Sequence, residues 1–300
     1  MRSAKPSLQR FEYGRHETFA IRQGWLGKGL SQLEAIGSFE ADTATADRLG
    51  LGSRMAKSLA YWLEASALAT ARMEGRSRKL ATSDVGSLIE ARDAHFEYAA
   101  TWWFVHLAVA SRDGSVMAWF FNDYVERSFE RAGCVDTYLR HTKQQARAPT
   151  LQTAQRDVAC VLASYARDPA EAQDPEDATA CPLVELGLLA YHRDTRRFEK
   201  VRPLDPVPPE VFLAAAARCG RSSGDETLAV ADLATRRHGP GRLLGLSPDM
   251  IDRAADEAAR LYARSGVTYT LLGTERRLRV PDQPDAWWLA RHYDRIEASA

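Results

Sequence analysis

Gly50 and Gly52, inside the run D-R-L-G-L-G-S-R-M-A-K-S-L-A-Y-W-L of Asp47–Leu63, force a turn between two helical stretches. Glycine reaches backbone angles that other residues avoid. The stretch before the turn, Thr43–Leu49, reads as a short helix, and Ser53 is placed to cap the next one. On that second helix Met55, Leu59, Trp62 and Leu63 recur on one face. Arg54, Lys57, Ser58 and Tyr61 fall on the other. An apolar back and a basic, hydrogen-bonding front is what a helix entering a DNA groove needs.

The following residues extend the pattern. Ala69–Met73 reads as a strand, Glu74–Lys79 (E-G-R-S-R-K) as a tight basic turn, and Leu80–Ser83 as the return strand. Together these predict a helix-turn-helix with a wing. Ser53, Arg54, Lys57 and Ser58 are the candidate groove-facing residues. Arg76, Arg78 and Lys79, at the expected hairpin tip, are the candidate phosphate contacts. The same residues also describe a purely structural three-helix unit with a solvated basic hairpin, or a unit that binds protein.

Charge says where DNA affinity must come from. Lys and Arg total 40 and so do Asp and Glu, so no global field draws nucleic acid in. Affinity has to come from local patches. The first eighty residues and Arg193–Arg202 lean basic, and Asp168–Asp177 is acidic. Cys134, Cys160, Cys181 and Cys219 are scattered, without zinc-knuckle spacing or disulfide-scaffold density. The opening M-R-S-A-K-P-S-L-Q-R has no apolar core for a secretion signal, and no apolar run is long enough for a bilayer. A cytoplasmic protein without membrane contact is expected.

Along the chain, Ser87–Arg112 reads as one long aromatic helix and Val116–Phe129 as a second. Asp136–Gln145 and Thr150–Arg167 read as further helices, and residues 168–182 as a surface linker. Beyond it come a strand at Phe198–Val201 and helices at Glu210–Cys219, Leu228–Arg237 and Asp249–Ser265. Val267–Leu272 and Arg277–Val280 would pair as a hairpin across Gly273–Arg276. The expected fold is mainly α: winged helix-turn-helix units with short β-hairpin wings, joined to an aromatic-rich helical middle. The expected domains are 1–167 and 183–300, the second a winged-helix-like unit in its own right.

No lysine follows an acidic residue at a spacing of two, so the usual lysine-containing acidic nuclease triad is missing. P-loop, nucleophile elbow and dinucleotide fingerprint are also missing. The densest candidate for chemistry is Phe11–Lys28. There His16 could activate water or bind a metal, Glu17 could ligate magnesium, and Arg22 and Lys28 could hold a charged phosphate. The bland alternative is that His16 and Glu17 anchor a loop. His95 and His106 share a helical stripe, and hydrogen-bonded core histidines are the expectation among so many aromatics. Asn122 is expected to bond neighbouring backbone.

Five segments taken together carry a family resemblance. They are G-R-H-E-T-F-A-I-R-Q-G-W-L-G-K-G, L-G-L-G-S-R-M-A-K-S-L-A-Y-W-L, T-W-W-F-V-H-L with A-W-F-F-N, C-P-L-V-E-L-G-L, and P-P-E-V-F-L. In this order, from about Phe11 to Leu278, the chain resembles the uncharacterised-domain family encoded beside bacterial DNA phosphorothioation genes. The best-understood kind is the nicking component of Ssp-type phage-defence systems. Ala20 and Ala67-Leu68 depart modestly from the family pattern. The resemblance implies a single-strand endonuclease acting on double-stranded DNA with a divalent metal, Mg or Mn. It implies work alongside a cysteine desulfurase, an ATP pyrophosphatase and an ATPase. His16, Glu17, Arg22 and Lys28 match the N-terminal motif and are carried as catalytic candidates; metal ligands remain unassigned. A non-catalytic DNA-binding adaptor that recruits the modification enzymes is the alternative.

Overall fold

The computed structural model describes residues 11–75, 77–145, 147–167 and 181–299. Arg76, residues 1–10 and the expected linker at 168–180 lie outside the described residues. The fold is mainly helical with three small antiparallel sheets.

The first unit begins with α1 (Trp25–Ile36), α2 (Thr43–Leu49) and α3 (Ser53–Ala65). Asp42 caps α2 by accepting the Thr45 N–H at 2.8 Å. Gly50, at φ 65°, ends α2 and starts the turn that Gly50 and Gly52 predict. The N-cap of α3 is Gly52, not Ser53, which makes no capping bond and is the first helical residue. Strands β1 (Ala69–Glu74) and β2 (Ser77–Thr82) pair from Ala69 opposite Thr82 to Glu74 opposite Ser77. A single bridge between Phe39 and Leu80 adds the chain ahead of α2 to this hairpin. Gly86, early in α4 (Asp84–Asp93), allows close approach: a Cβ there would stand 2.1 Å from the Leu68 carbonyl oxygen.

The expected helix over Ser87–Arg112 is two helices, α4 and α5 (Ala99–Ser111). Asp93 causes the break. Its buried carboxylate accepts the Glu97 N–H at 2.7 Å, the Tyr98 N–H at 3.2 Å and the Thr101 hydroxyl at 2.6 Å. A side chain that captures backbone N–H groups competes with continued helix. Helix α5 is then buried all round, from Ala100 to Ala110, as a central helix should be. The second aromatic helix, α6 (Val116–Asn122), is also shorter than expected, and Phe129 belongs to strand β3 (Ser128–Phe129). Asn122 bonds backbone as expected, donating to the carbonyls of Ala110 and Ala118 at 2.9 Å each. It also accepts the His238 N–H at 2.7 Å. Helices α7 (Arg131–Thr142) and α8 (Leu151–Tyr165) follow.

In the second half, a 3-10 turn (Pro182–Leu186) leads to β4 (Leu189–His192) and β5 (Arg197–Lys200). Strand β5 lies between β3 and β4, so one sheet takes strands from both expected domains. Then come α9 (Pro209–Ser223), β6 (Thr227–Ala229), α10 (Val230–Thr235), α11 (Pro240–Leu243), α12 (Pro248–Leu261), β7 (Thr268–Leu272), β8 (Glu275–Arg279) and α13 (Asp285–Glu297). Residues 227–229 are strand rather than the expected helix start, because Leu228 pairs with Leu278 of β8 and is buried there. The predicted β7–β8 hairpin forms, with a shorter turn at Gly273-Thr274. Helix α13 packs on α9, α4 and α5, so one hydrophobic core runs through both halves. No described helix is long and apolar enough to cross a membrane.

Candidate nucleic-acid interface

The amphipathic reading of α3 holds for its apolar side and in part for its polar one. Leu59, Trp62 and Leu63 are fully buried, and Met55 packs partly buried against the core. Ser53, Arg54 and Lys57 are exposed. Ser58 and Tyr61 are not: Ser58 is 0% exposed and donates its hydroxyl to the His16 carbonyl at 2.9 Å. Ser58 therefore cannot face a groove. The segment ahead of α1 covers that part of the helix, an approach that no helical periodicity announces.

That segment is built around His16. The imidazole is 2% exposed, and its Nε2 donates to Asp157 Oδ1 of α8 at 2.9 Å, across 141 residues of sequence. Gly14 N–H reaches the same oxygen at 2.9 Å. Thr18 N–H points at Nδ1, 3.1 Å away. Burial disfavours a charged ring, but nearby Cys160 and the Asp157 carboxylate outweigh it and push the His16 pKa up to about 10. The Thr18 contact needs a free Nδ1 lone pair, so full protonation would give up that bond for a charged pair with Asp157. In either state Nε2 stays bound to Asp157. Glu17 and Thr18 are held at φ 51° and 77°, in the left-handed region unfavourable for side chains. Strain of this kind persists only where surrounding contacts over-determine it.

Glu17 serves α3. Arg54 donates from Nε to its carboxylate at 3.2 Å and from Nη2 to its carbonyl at 3.1 Å. The Arg54 side chain is 61% exposed, so this pair is weak. Arg22 stands 5.6 Å from both the Phe19 and Trp25 ring centroids, beside a cavity of about 1510 Å³. Lys28 is exposed on α1 and stays outside the His16–Asp157 network. Two of the four catalytic candidates thus have their polar atoms bound within the fold, His16 to Asp157 and Glu17 to Arg54. His16 is an interior anchor, Glu17 an arginine holder, and Arg22 and Lys28 lie further along the chain.

The wing also differs from expectation in detail. Arg78 and Lys79 lie on strand β2 rather than at the tip. Arg78 pairs with Glu64 of α3 at 2.7 Å and Lys79 with Glu74 at 2.9 Å. The hairpin is longer and its turn tighter than the sequence implies, because pairing continues to Glu74 and Ser77. Arg76 lies outside the described residues. Exposed Met73 stands opposite Arg78.

Among the described residues no three His, Cys, Asp or Glu side chains form a group that could hold a metal ion. His16 and Glu17 are bound to Asp157 and Arg54, so these residues do not fit a protein-only magnesium centre. His106 is the expected core histidine. Its Nδ1 accepts from the Tyr165 hydroxyl and its Nε2 donates to the Leu243 carbonyl, both at 2.7 Å. His95 is exposed instead. All four cysteines are free and buried. Sequence reading missed Asp157 and Asp93, whose roles depend on partners that folding alone brings near.

The whole fold has counterparts. A structure described as "Magnesium ion-bound SspB crystal structure" superposes with a TM-score of 0.83 at 21% identity, covering 94% of this chain and 88% of that one. A second, "SspB crystal structure", gives 0.80 at 22% with the same coverage. No curated protein matches the chain in sequence. The family described as "Protein of unknown function (DUF4007)" matches residues 13–293, nearly the whole described chain, and this protein belongs to it.

Proposed function

We propose that this protein is the DNA-contacting, strand-nicking component of a phosphorothioate modification system in bacterial phage defence. The observation that carries the DNA part is α3: Ser53, Arg54 and Lys57 face solvent over a buried apolar back, and a hairpin follows directly. We read α1 to β2 as a winged helix and α9 to β8 as a second unit of the same topology, with β6 in the place of the Phe39 bridge. In this reading α3 meets base edges in the major groove of duplex DNA, and Arg78 and Lys79 exchange their carboxylate partners, Glu64 and Glu74, for phosphates. The nicking part, and work beside a cysteine desulfurase, an ATP pyrophosphatase and an ATPase in the cytoplasm, rests on the family resemblance and the likeness to SspB. The magnesium in one similar structure supports a divalent-ion requirement.

A second reading, a non-catalytic adaptor that brings modification enzymes to DNA, is favoured by the enclosed His16 and the dispersed motif residues. Supercoiled plasmid incubated with the protein and Mg²⁺ or Mn²⁺ separates the two. Conversion to the open circular form supports the nickase. Binding in a gel shift with the plasmid left supercoiled supports the adaptor, and no binding rejects both. His16→Ala is expected to lower stability together with any activity, as an anchor should. A stable His16→Ala variant that binds DNA but no longer nicks would put His16 back among catalytic groups.

A further inference from the structure

From Thr137 to Arg156 the chain contains no acidic residue. It covers the last turns of α7, the connection, and the start of α8. Arg140, Lys143, Arg147 and Arg156 are all exposed there, interleaved with exposed Gln144, Gln152 and Gln155. Most arginines elsewhere in the fold are tied to carboxylates, but these four cations have no ion-pair partner among the described residues; Arg140 bonds only the Thr137 hydroxyl, at 2.9 Å. Asp157, next in sequence to Arg156, is engaged with His16. Asp136, on α7, bounds the stretch.

Helix electrostatics account for only part of this. Arg140 lies in the last turn of α7, where a cation offsets the helix dipole. Arg147 and Arg156 flank the start of α8, the positive end, and its first turn has no acid. Arg147 lies ahead of the N-cap and Arg156 in the second turn, neither with a carboxylate partner among the described residues, so the stretch keeps its positive charge open to an anion from outside.

The position supplies the anion's identity. Asp157, adjacent to Arg156, holds His16, and the His16 carbonyl holds Ser58 of α3. A buried link therefore ties α8, which carries Arg156, to the helix that carries Arg54 and Lys57. Resting on the DNA-binding reading above, we infer that the α7–α8 helical hairpin is a second contact for the phosphate backbone of the same duplex. Lys143, Arg147 and Arg156 supply sequence-independent affinity there. The exposed Gln144, Gln152 and Gln155 among them add neutral donors suited to phosphate oxygens.

The test is the triple variant Lys143→Gln/Arg147→Gln/Arg156→Gln in the full chain, measured beside wild type and Arg54→Ala/Lys57→Ala. Affinity for short duplexes of two unrelated sequences is followed against salt. The triple variant is expected to weaken both duplexes alike, with a log–log slope shallower by about 2.7, or about 0.9 for each phosphate no longer neutralised. Its thermal midpoint should stay level, because none of the three side chains has a partner among the described residues of the fold. A slope equal to wild type overturns the inference. If Arg54→Ala/Lys57→Ala still weakens binding in that case, the DNA reading stands and only this surface falls away. If wild type binds neither duplex at any salt, both fall. A lowered midpoint with an unchanged slope would assign these residues to the fold.

Discussion

The two hairpin-bearing units share an order of elements and differ in what they present. In the first, α3 exposes Ser53, Arg54 and Lys57 ahead of β1–β2. In the second, the corresponding helix α12 carries Asp249, Asp252, Arg253, Asp256, Glu257 and Arg260 on its more open side, an acidic majority. The second hairpin is basic at Arg276, Arg277 and Arg279, with Leu271 and Leu272 exposed near its tip. One topology thus supports a helix suited to a groove and a helix that would repel it. Element order therefore does not fix the charge a helix presents; in the proposed reading it is the basic face of α3, and not the shared topology, that suits DNA.

The anchors differ as well. The first unit is tied to the helical middle through His16 and Asp157. The second is held together internally, through Glu210 near the start of α9, which is fully buried and joins α9 to Tyr262 and to α13. Glu210 accepts from His292 at 2.9 Å, from Arg295 at 2.6 and 3.0 Å, and from the Tyr262 hydroxyl. The largest expected effect is therefore on folding. Glu210→Ala strands a guanidinium, an imidazole and a phenol, and should cost about 3–5 kcal/mol in chemical denaturation, as breaking a buried ion pair does. If the loss is confined to α12 and α13, seen as early hydrogen exchange there alone, the two units are separable in stability. Uniform loss would show one cooperative body.

Acid should act through the same groups. Burial works against the Glu210 charge, but the donors from His292, Arg295 and Tyr262 outweigh it and pull the pKa down to about 2. A depressed carboxyl pKa stabilises above the unfolded value, near 4.5, and that contribution is lost as pH falls towards 2. At roughly 1.4 kcal/mol per unit it amounts to about 3 kcal/mol. His106, pushed down to about 4 by burial, adds a loss that begins as pH falls below 6.5. Denaturation midpoints measured from pH 7 to pH 3 should fall in this order, first with His106 and then with Glu210. A flat profile over that range would contradict both assignments.

Smaller effects compare the helices directly. Arg54→Ala/Lys57→Ala should weaken duplex binding by about 1–3 kcal/mol for each base edge no longer bound, with an unchanged circular dichroism spectrum. Arg253→Ala/Arg260→Ala on α12 should leave affinity where it was. If the α12 pair matters more, the roles of the units are reversed. Smallest is Arg78→Gln, which trades one exposed pair with Glu64 and should flatten the salt slope by about 0.9 if it meets a phosphate. An unchanged slope would remove the wing from the interface.

Local patterns in the sequence foretold local structure well. Thr43–Leu49, the Gly50 turn, the apolar face of α3 and both hairpins follow from spacing and turn residues within a few positions. Reading failed where a distant group intervened. Ser58 satisfies helical periodicity for an outward face, yet the His16 carbonyl, 42 residues away in sequence, takes its hydroxyl. The split between α4 and α5 depends on which way the Asp93 carboxylate turns, which periodicity does not encode. His16 and Glu17 are chemically able residues whose abilities are used up by Asp157 and Arg54, and no local signal connects those pairs. Residue type was legible, but the partners were not.

The loop from Gly14 to Phe19 lies outside any helix or strand, yet its amide protons at Gly14, Glu17, Thr18 and Phe19 point inward or along the loop. Gly14 donates to Asp157, Glu17 to the Gly14 carbonyl, Thr18 to the His16 ring and Phe19 to the His16 carbonyl. A connecting segment is ordinarily among the first to exchange with solvent deuterium. This one should exchange on the timescale of α3 and α8, so that in time as well as in space it moves with the two helices it joins.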